Sequence, residues 1–336
     1  MLRKKARKSI SVGLAGLMFG SLALYGCSGS GAGGDGAHQE EVTSDTEITV
    51  YTSAINEDEY GDAFKQMVED NLDFKVNFES EPLLYADTVN KATTMLASGD
   101  DSVDVYFIDE IMQLSFLSAD FLEPLDDVVT DSDISNILEG YADKFLVRDG
   151  HIYGVPADFG GILFFVNKKM FDEAGVAIPT NQEEFLAAAS FDEAGKYGEE
   201  IICAPMPTFK TNKTPMSSWM WVVNKNSAKK EAAKEYVKFM ATPEAQAAYM
   251  KATGKFSPTA NLSVWEDPEL TTDLLTIEEH KLYVEEDAFE ARTLCPRHSE
   301  YMDTVTGTLQ EYLMDEISFE ECLEKGQQQI DELLNN

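Results

Sequence analysis

Basic residues are scarce. The 336-residue chain has 26 Lys and Arg against 61 Asp and Glu, a formal charge of −35. Five of the bases, Arg3, Lys4, Lys5, Arg7 and Lys8, lie in the first eight positions, and no acid precedes Asp35. Beyond residue 26, 21 bases face all 61 acids, a net −40. Such a surface repels phosphate backbones, so nucleic acid is a poor partner; for a neutral ligand the charge decides nothing. Cysteine is also rare, at positions 27, 203, 295 and 322. The spacing fits no zinc pattern. With Cys27 set apart, the odd three cannot all pair, which leaves buried thiols or one disulfide. The apolar run from Ile10 to Tyr25 is 16 residues, short for a membrane span. No nucleophile elbow, phosphate loop or metal motif is present. His151 has no nucleophile or carboxylate at catalytic spacing and reads as a structural or turn residue.

What is present supports a fold of one large or two ordinary domains, with an apolar fraction of 43% to build a core. The basic start, the short apolar run and Gly26 describe a secretory signal over 1–26. Leu24-Tyr25-Gly26-Cys27 resembles a bacterial lipoprotein lipobox, with Tyr25 the less usual residue. The resemblance makes Cys27 a lipidated N-terminus, and several acyl chains anchor a protein stably. SGSGAGGDGAHQEE follows; 27–46 therefore reads as anchor and flexible tether.

The folded part is expected from Glu47. Ile48, Val50 and Tyr51-Thr52 read as a strand, Tyr60 to Val68 as a helix, and Phe74 to Phe78 as a strand. Leu84 to Leu96 reads as a helix, Val103 to Phe107 as a strand, and Ile111 to Phe121 as a helix. Strand and helix in alternation predict an α/β layer with a largely parallel sheet. Ile162–Val166 and Trp219–Val223 are apolar runs suited to buried strands. Thr180 with Glu183 predicts a capping box that starts a helix at Asn181. Ala228–Met240 is helical, with Ala233, Tyr236, Val237 and Met240 on one face. Thr242-Pro243-Glu244 starts another helix, and Ser318 with Glu321 caps the last.

Several of these segments together resemble the family 1 extracellular solute-binding proteins, the sugar receptors of ABC importers. They are YADTVNKATTMLASGDDSVDVYFID (85–109), FLEPLDD (121–127), HIYGVPADFGGILFFVNKKMFDEAGVAIP (151–179), APMPTFK (204–210) and SSWMWVVNKNSAKKEAAKEYVKFMATPEAQ (217–246). The resemblance implies a two-lobed, periplasmic-binding-protein-like type II α/β fold. Lobe 1 would comprise 47–158 with 219–256, and lobe 2 159–218 with 257–336, with a cleft between them. It also implies a carbohydrate ligand, ABC permease subunits as partners, an extracellular or periplasmic place on the cell membrane, a monomer, and neither cofactor nor metal.

Ligands of open α/β sheets bind beyond the carboxyl ends of the strands. That rule selects Tyr51, Thr52 and Ser53 after the first strand, and Asp109 and Glu110 after the third. Asp158 and Phe159 lie on the first crossing, and Trp219 and Trp221 on the return. Aromatic faces cover sugar C–H surfaces, and carboxylates accept from hydroxyls. Each residue also has a plainer reading. Asp109 and Glu110 suit a helix start, and Tyr51 suits a strand end. Phe164 and Phe165 read as core. Trp219 and Trp221 alternate along their run, so that one faces the cleft and the other the core; Trp219 is favoured for the cleft.

FDEAG occurs at 171–175 and again at 191–195. The flanks VAIPT and KYGEE differ, which argues against a structural repeat. In the family that the chain resembles, a long insert separates the first copy from the segment matching Gly195-Lys196-Tyr197-Gly198. A shortened second lobe is the expectation, with a naturally short loop the alternative. For function, a receptor competes with a surface glycosidase using paired acids and with a non-transporting sensor lipoprotein.

Overall fold

The computed structural model describes residues 42–181, 184, 201–206, 208, 211–255, 257–292 and 297–335. The signal segment, Cys27, Glu183, Cys295 and the second FDEAG at 191–195 lie outside them, as do the side chains of Phe164 and Phe165.

The first half follows the alternation in the sequence. Strand β1 (Glu47–Thr52) buries Ile48 and Val50 completely. Helix α1 (Glu59–Asn71) starts at Asp58, whose carboxylate accepts from the N–H groups of Tyr60 and Gly61. Strand β2 (Lys75–Ser80) runs parallel to β1. Helix α2 (Tyr85–Ala97) buries Thr88, Ala92 and Leu96, one stripe at a spacing of four. Strand β3 (Val105–Asp109) is buried throughout and parallel to β1. Helix α3 (Glu110–Ser118) follows at once.

The chain then crosses and returns. A small hairpin, β4 (Val147–Arg148) with β5 (His151–Ile152), turns at Asp149-Gly150, both at positive φ. At its exposed end, His151 pairs with Asp126 at 3.0 Å. Strand β6 (Val155–Gly160) joins the main sheet, while β7 (Leu163–Asn167) leaves it for helix α4 (Lys168–Ala174) and β8 (Ile201–Pro205). Strand β9 (Thr214–Val223) comes back, followed by helices α5 (Lys230–Phe239) and α6 (Pro243–Ala252). Helix α7 (Ile277–Glu285), strand β10 (Phe289–Ala291) and helices α8 (His298–Leu313) and α9 (Phe319–Asn335) complete the order.

The main sheet has the order β10-β9-β3-β1-β2, with β6 also on β9. It is mixed rather than largely parallel: β9 pairs antiparallel with β3 and β6 and parallel with β10. The reason is topological. β6 and β9 enter as crossing strands of opposite sense, not through the helical crossovers that make strands parallel. Strands β7 and β8 form a separate two-stranded antiparallel sheet.

The expected caps are present at Thr242, which accepts from Ala245 N at 3.3 Å, and at Ser318 and Glu321, which bond reciprocally. The box expected at Thr180 and Glu183 rests on Glu183, which lies outside the described residues; the described bonds join Thr180, Asn181 and Glu184. Asn181 Oδ1 accepts from Glu184 N at 3.0 Å, and Glu184 Oε2 reaches back to Thr180 N at 2.8 Å. The core also passes the boundary expected at 256: Ala260, Val264, Trp265, Leu274 and Ile277 belong to the same buried cluster as Val50 and Val105.

The crossing after β6 is tightly built. A Cβ on Gly161 would meet Thr214 Cγ2 at 2.8 Å and Phe289 Cε1 at 2.9 Å, so any side chain there would force Thr214 or Phe289 to shift. Ile162 N donates to Thr214 Oγ1 at 3.0 Å, and Tyr283 Oη donates to Ile162 O at 2.9 Å.

Candidate functional site

Three strands bring the candidate residues together. Trp219 of β9 lies opposite Asp109 of β3 on one side and Asp158 of β6 on the other. An irregularity in β6 between Pro156 and Asp158 sets the second register. Asp158 Oδ1 accepts from Trp219 N at 3.1 Å. Asp109 caps α3, accepting from Met112 N at 2.8 Å through Oδ1 and from the Tyr85 hydroxyl at 2.6 Å through Oδ2. Glu110 accepts from Ser218 N at 3.0 Å through Oε2. Its Oε1 accepts from Arg292 Nε at 2.8 Å and also from Nη2, and Arg292 Nη2 reaches Ser217 Oγ at 3.3 Å. A fourth carboxylate, Glu81, follows β2, and its Oε1 accepts no hydrogen bond among the described residues.

Burial raises the pKa of all four acids. For Asp109 the Tyr85 and Met112 hydrogen bonds oppose it, for Glu110 the Arg292 guanidinium, and for Asp158 the nearby Lys255 ammonium. Desolvation lifts Glu81 to about 7 against the pull of Lys255 and a hydrogen bond from Ser53, and the Asp109 charge adds to the rise. The cluster therefore joins partly satisfied acceptors to an aromatic wall. Trp219 stacks on Phe107 with centres 5.1 Å apart at 21° and meets the edge of Tyr85 at 6.4 Å. Such a site can accept from hydroxyl or amine donors beside a ring face. Among the described residues no group of His, Cys, Asp and Glu is arranged to hold a metal ion.

Of the residues selected from sequence, Asp109, Glu110, Asp158 and Trp219 are brought together, with Ser53 beside Glu81. The others are placed inside the core. Tyr51 is fully buried edge-on to Tyr106 at 5.7 Å, where burial pushes its phenol up to about 12. Thr52 is fully buried with its hydroxyl 2.6 Å from that of Tyr249. Phe159 stacks on Trp265 at 5.3 Å and meets Phe289 edge-on. Trp221 is fully buried against Tyr236 and Tyr249. The expectation that the two tryptophans face opposite ways is corrected. Two residues apart on a strand share a face, and both pack on Phe107. Trp219 is half-buried because it lies toward the crossing, not because it faces away from Trp221.

Glu81, Tyr85, Phe107, Lys255 and Arg292 were not selected from sequence. Glu81 had a signal, since it follows a strand in the same way as Ser53. Tyr85 opens α2 from an exposed position. Lys255 and Arg292 are isolated bases in an acidic chain, and nothing local marks where they reach.

The fold and this cluster define a binding protein of the two-crossing α/β kind, and comparison gives the family. The bacterial extracellular solute-binding protein family matches residues 59–220 and 196–276, and the chain belongs to it. No curated protein matches the chain. Among solved structures, maltose-bound MalE3 of T. maritima is similar at 17% identity, covering 86% of this chain and 100% of its own, with a TM-score of 0.67. An ABC substrate-binding protein from Listeria monocytogenes in complex with cycloalternan has 17% identity, covers 87% and 99%, and gives 0.68. The GacH receptor of Streptomyces glaucescens, solved unliganded and with acarbose, has 15% identity, covers 88% and 100%, and gives 0.70. At such identities the likeness is one of fold. Among the described residues no helix is long and apolar enough to cross a membrane.

Proposed function

We propose that this chain is a lipid-anchored receptor that binds a carbohydrate outside the cell and delivers it to an ABC permease. The observation that carries the reading is Trp219, a partly buried indole at the strand crossing with Asp109 and Asp158 beside it. An aromatic face with acceptors at its edges suits a sugar ring. The sugar-bound neighbours of the same fold support it. Binding would draw the two sides of the crossing together, and the closed form would dock on the permease. No catalysis is needed. The carboxylates are engaged by Tyr85, Arg292, Ser218 and Trp219 rather than by a nucleophile–base pair. Cys27 is the proposed anchor; labelled palmitate entering wild type and Cys27→Ala equally would remove it from the account.

The second lobe is proposed to be shortened near 190–195. Two observations support this: the family match runs in two stretches that overlap at 196–220, and β7 pairs only with β8 among the described residues. A thermal-shift screen of mono- and oligosaccharides on residues 28–336 tests the carbohydrate reading. A dose-dependent rise in Tm with an unchanged sugar recovered is expected; hydrolysis would make the protein a glycosidase.

A further inference from the structure

Lys255 follows α6. That helix closes with Thr253 N donating to Tyr249 O and Gly254 N to Lys251 O, and Gly254 has a φ of +66°. The left-handed glycine ends the helix and sends the next residue across its end. From there the Lys255 side chain lies over the site, with Nζ 4.6 Å from the centre of Phe107 and 4.9 Å from the centre of Trp219. The two ring centres are themselves 5.1 Å apart, so the ammonium is seated over the pair. Both distances are within cation–π range. Its carboxylate neighbour is Asp158 Oδ2, at 3.9 Å, beyond hydrogen-bonding distance. The Lys255 charge also acts on Glu81. The seat thus joins two aromatic rings with the Asp158 carboxylate at its side, and a long flexible side chain fills it without a hydrogen bond among the described residues.

We propose that Lys255 is a tethered occupant of the solute platform: its ammonium holds the surface of Phe107 and Trp219 until a sugar ring stacks there and turns it out into solvent. This rests on the carbohydrate reading above and adds a specificity element to it. A solute must offer more ring contact and hydroxyl bonding than the ammonium it displaces, which discriminates against small, weakly stacking solutes. The seat suits displacement because the lysine stem is flexible and its ion pair is loose.

The test uses the full chain in detergent, with a saccharide that raises its Tm. Lys255→Ala vacates the seat and should bind that saccharide about two- to five-fold more tightly, the factor for one exposed cation–π contact. Lys255→Arg keeps a cation there and should bind within about two-fold of wild type. Without saccharide, the Lys255 ε-methylene protons should be shifted upfield by the ring currents. Trp219→Ala or added saccharide should return them toward the ordinary lysine position. Unchanged or weaker binding by Lys255→Ala, or an ordinary ε-methylene position without saccharide, overturns the proposal. Failure of the carbohydrate reading looks different: no saccharide then binds wild type or either Lys255 variant, and the displacement falls with it.

Discussion

Trp221 and Trp219 lie on one face of one strand, two residues apart, and live in different surroundings. Both are flanked by β3 and β6, but Tyr236, Tyr249 and Phe107 enclose the Trp221 indole completely. Around Trp219 the packing opens. Carboxylates replace aliphatic groups, Lys255 lies over the ring, and the strand runs on toward the crossing. The same side chain is therefore core at one end and candidate contact surface at the other. Position along the strand, not face, separates folding from function here.

Substitution should expose that difference. Trp221→Ala removes a fully buried indole and should lower stability by about 3–5 kcal/mol in denaturant unfolding. Trp219→Ala should cost about 1 kcal/mol in stability, because part of its surface is already wet. A similar stability loss at both positions would erase the distinction.

Arg292 sharpens the comparison at the polar end. Its guanidinium balances Glu110, whose side chain is fully buried. Arg292→Met should cost about 1–3 kcal/mol at pH 8, reduced from the fully buried case because Arg292 is itself part-exposed. The sign with pH follows from burial. Without the guanidinium the folded-state pKa of Glu110 rises further above its unfolded value. The folded state then holds the proton longer, and stability falls as pH rises through that interval. The loss should therefore be smaller at pH 5 than at pH 8; a pH-independent loss would mean that the pair acts by packing alone.

A third contrast is between the two sheets. β3 has neighbours on both sides, and β7 has β8. Amides of Val105–Asp109 should exchange more slowly than those of Leu163–Asn167, by about ten-fold or more. Equal protection at the global level would argue for a complete second lobe with a naturally short loop.

The smallest effect is expected at Glu81. Its folded-state pKa of about 7 lies above the ordinary 4.5, so the folded state binds the proton more tightly and stability declines as pH rises from about 4.5 to 7. Glu81→Gln should flatten that decline, by on the order of 1 kcal/mol at pH 8. A Tm difference that does not change between pH 5 and 8 would place Glu81 in water.

Much of the fold was legible from the sequence because its signals are local. Thr242 and the Ser318–Glu321 pair act on helix ends a few residues away. Ala233, Tyr236, Val237 and Met240 show their shared face through spacing alone. Sheet polarity was not legible, because the sense of β9 depends on how the chain crosses between sheets. The site was half legible. Asp109, Asp158 and Trp219 follow from the rule about strand ends and crossings, whereas Lys255 and Arg292 arrive from sequence-distant segments. Tyr51 and Thr52 satisfy the same rule but turn inward to Tyr106 and Tyr249, which a rule about strand ends cannot distinguish.

The central claim is that the surface around Trp219 of β9 binds carbohydrate. Isothermal titration of one saccharide from the screen, into wild type and Trp219→Ala at matched fold stability, tests it most directly. The account predicts stoichiometric binding by wild type, an affinity loss of about 1–3 kcal/mol in the variant, and the saccharide recovered intact. Equal affinity in the two proteins would contradict it.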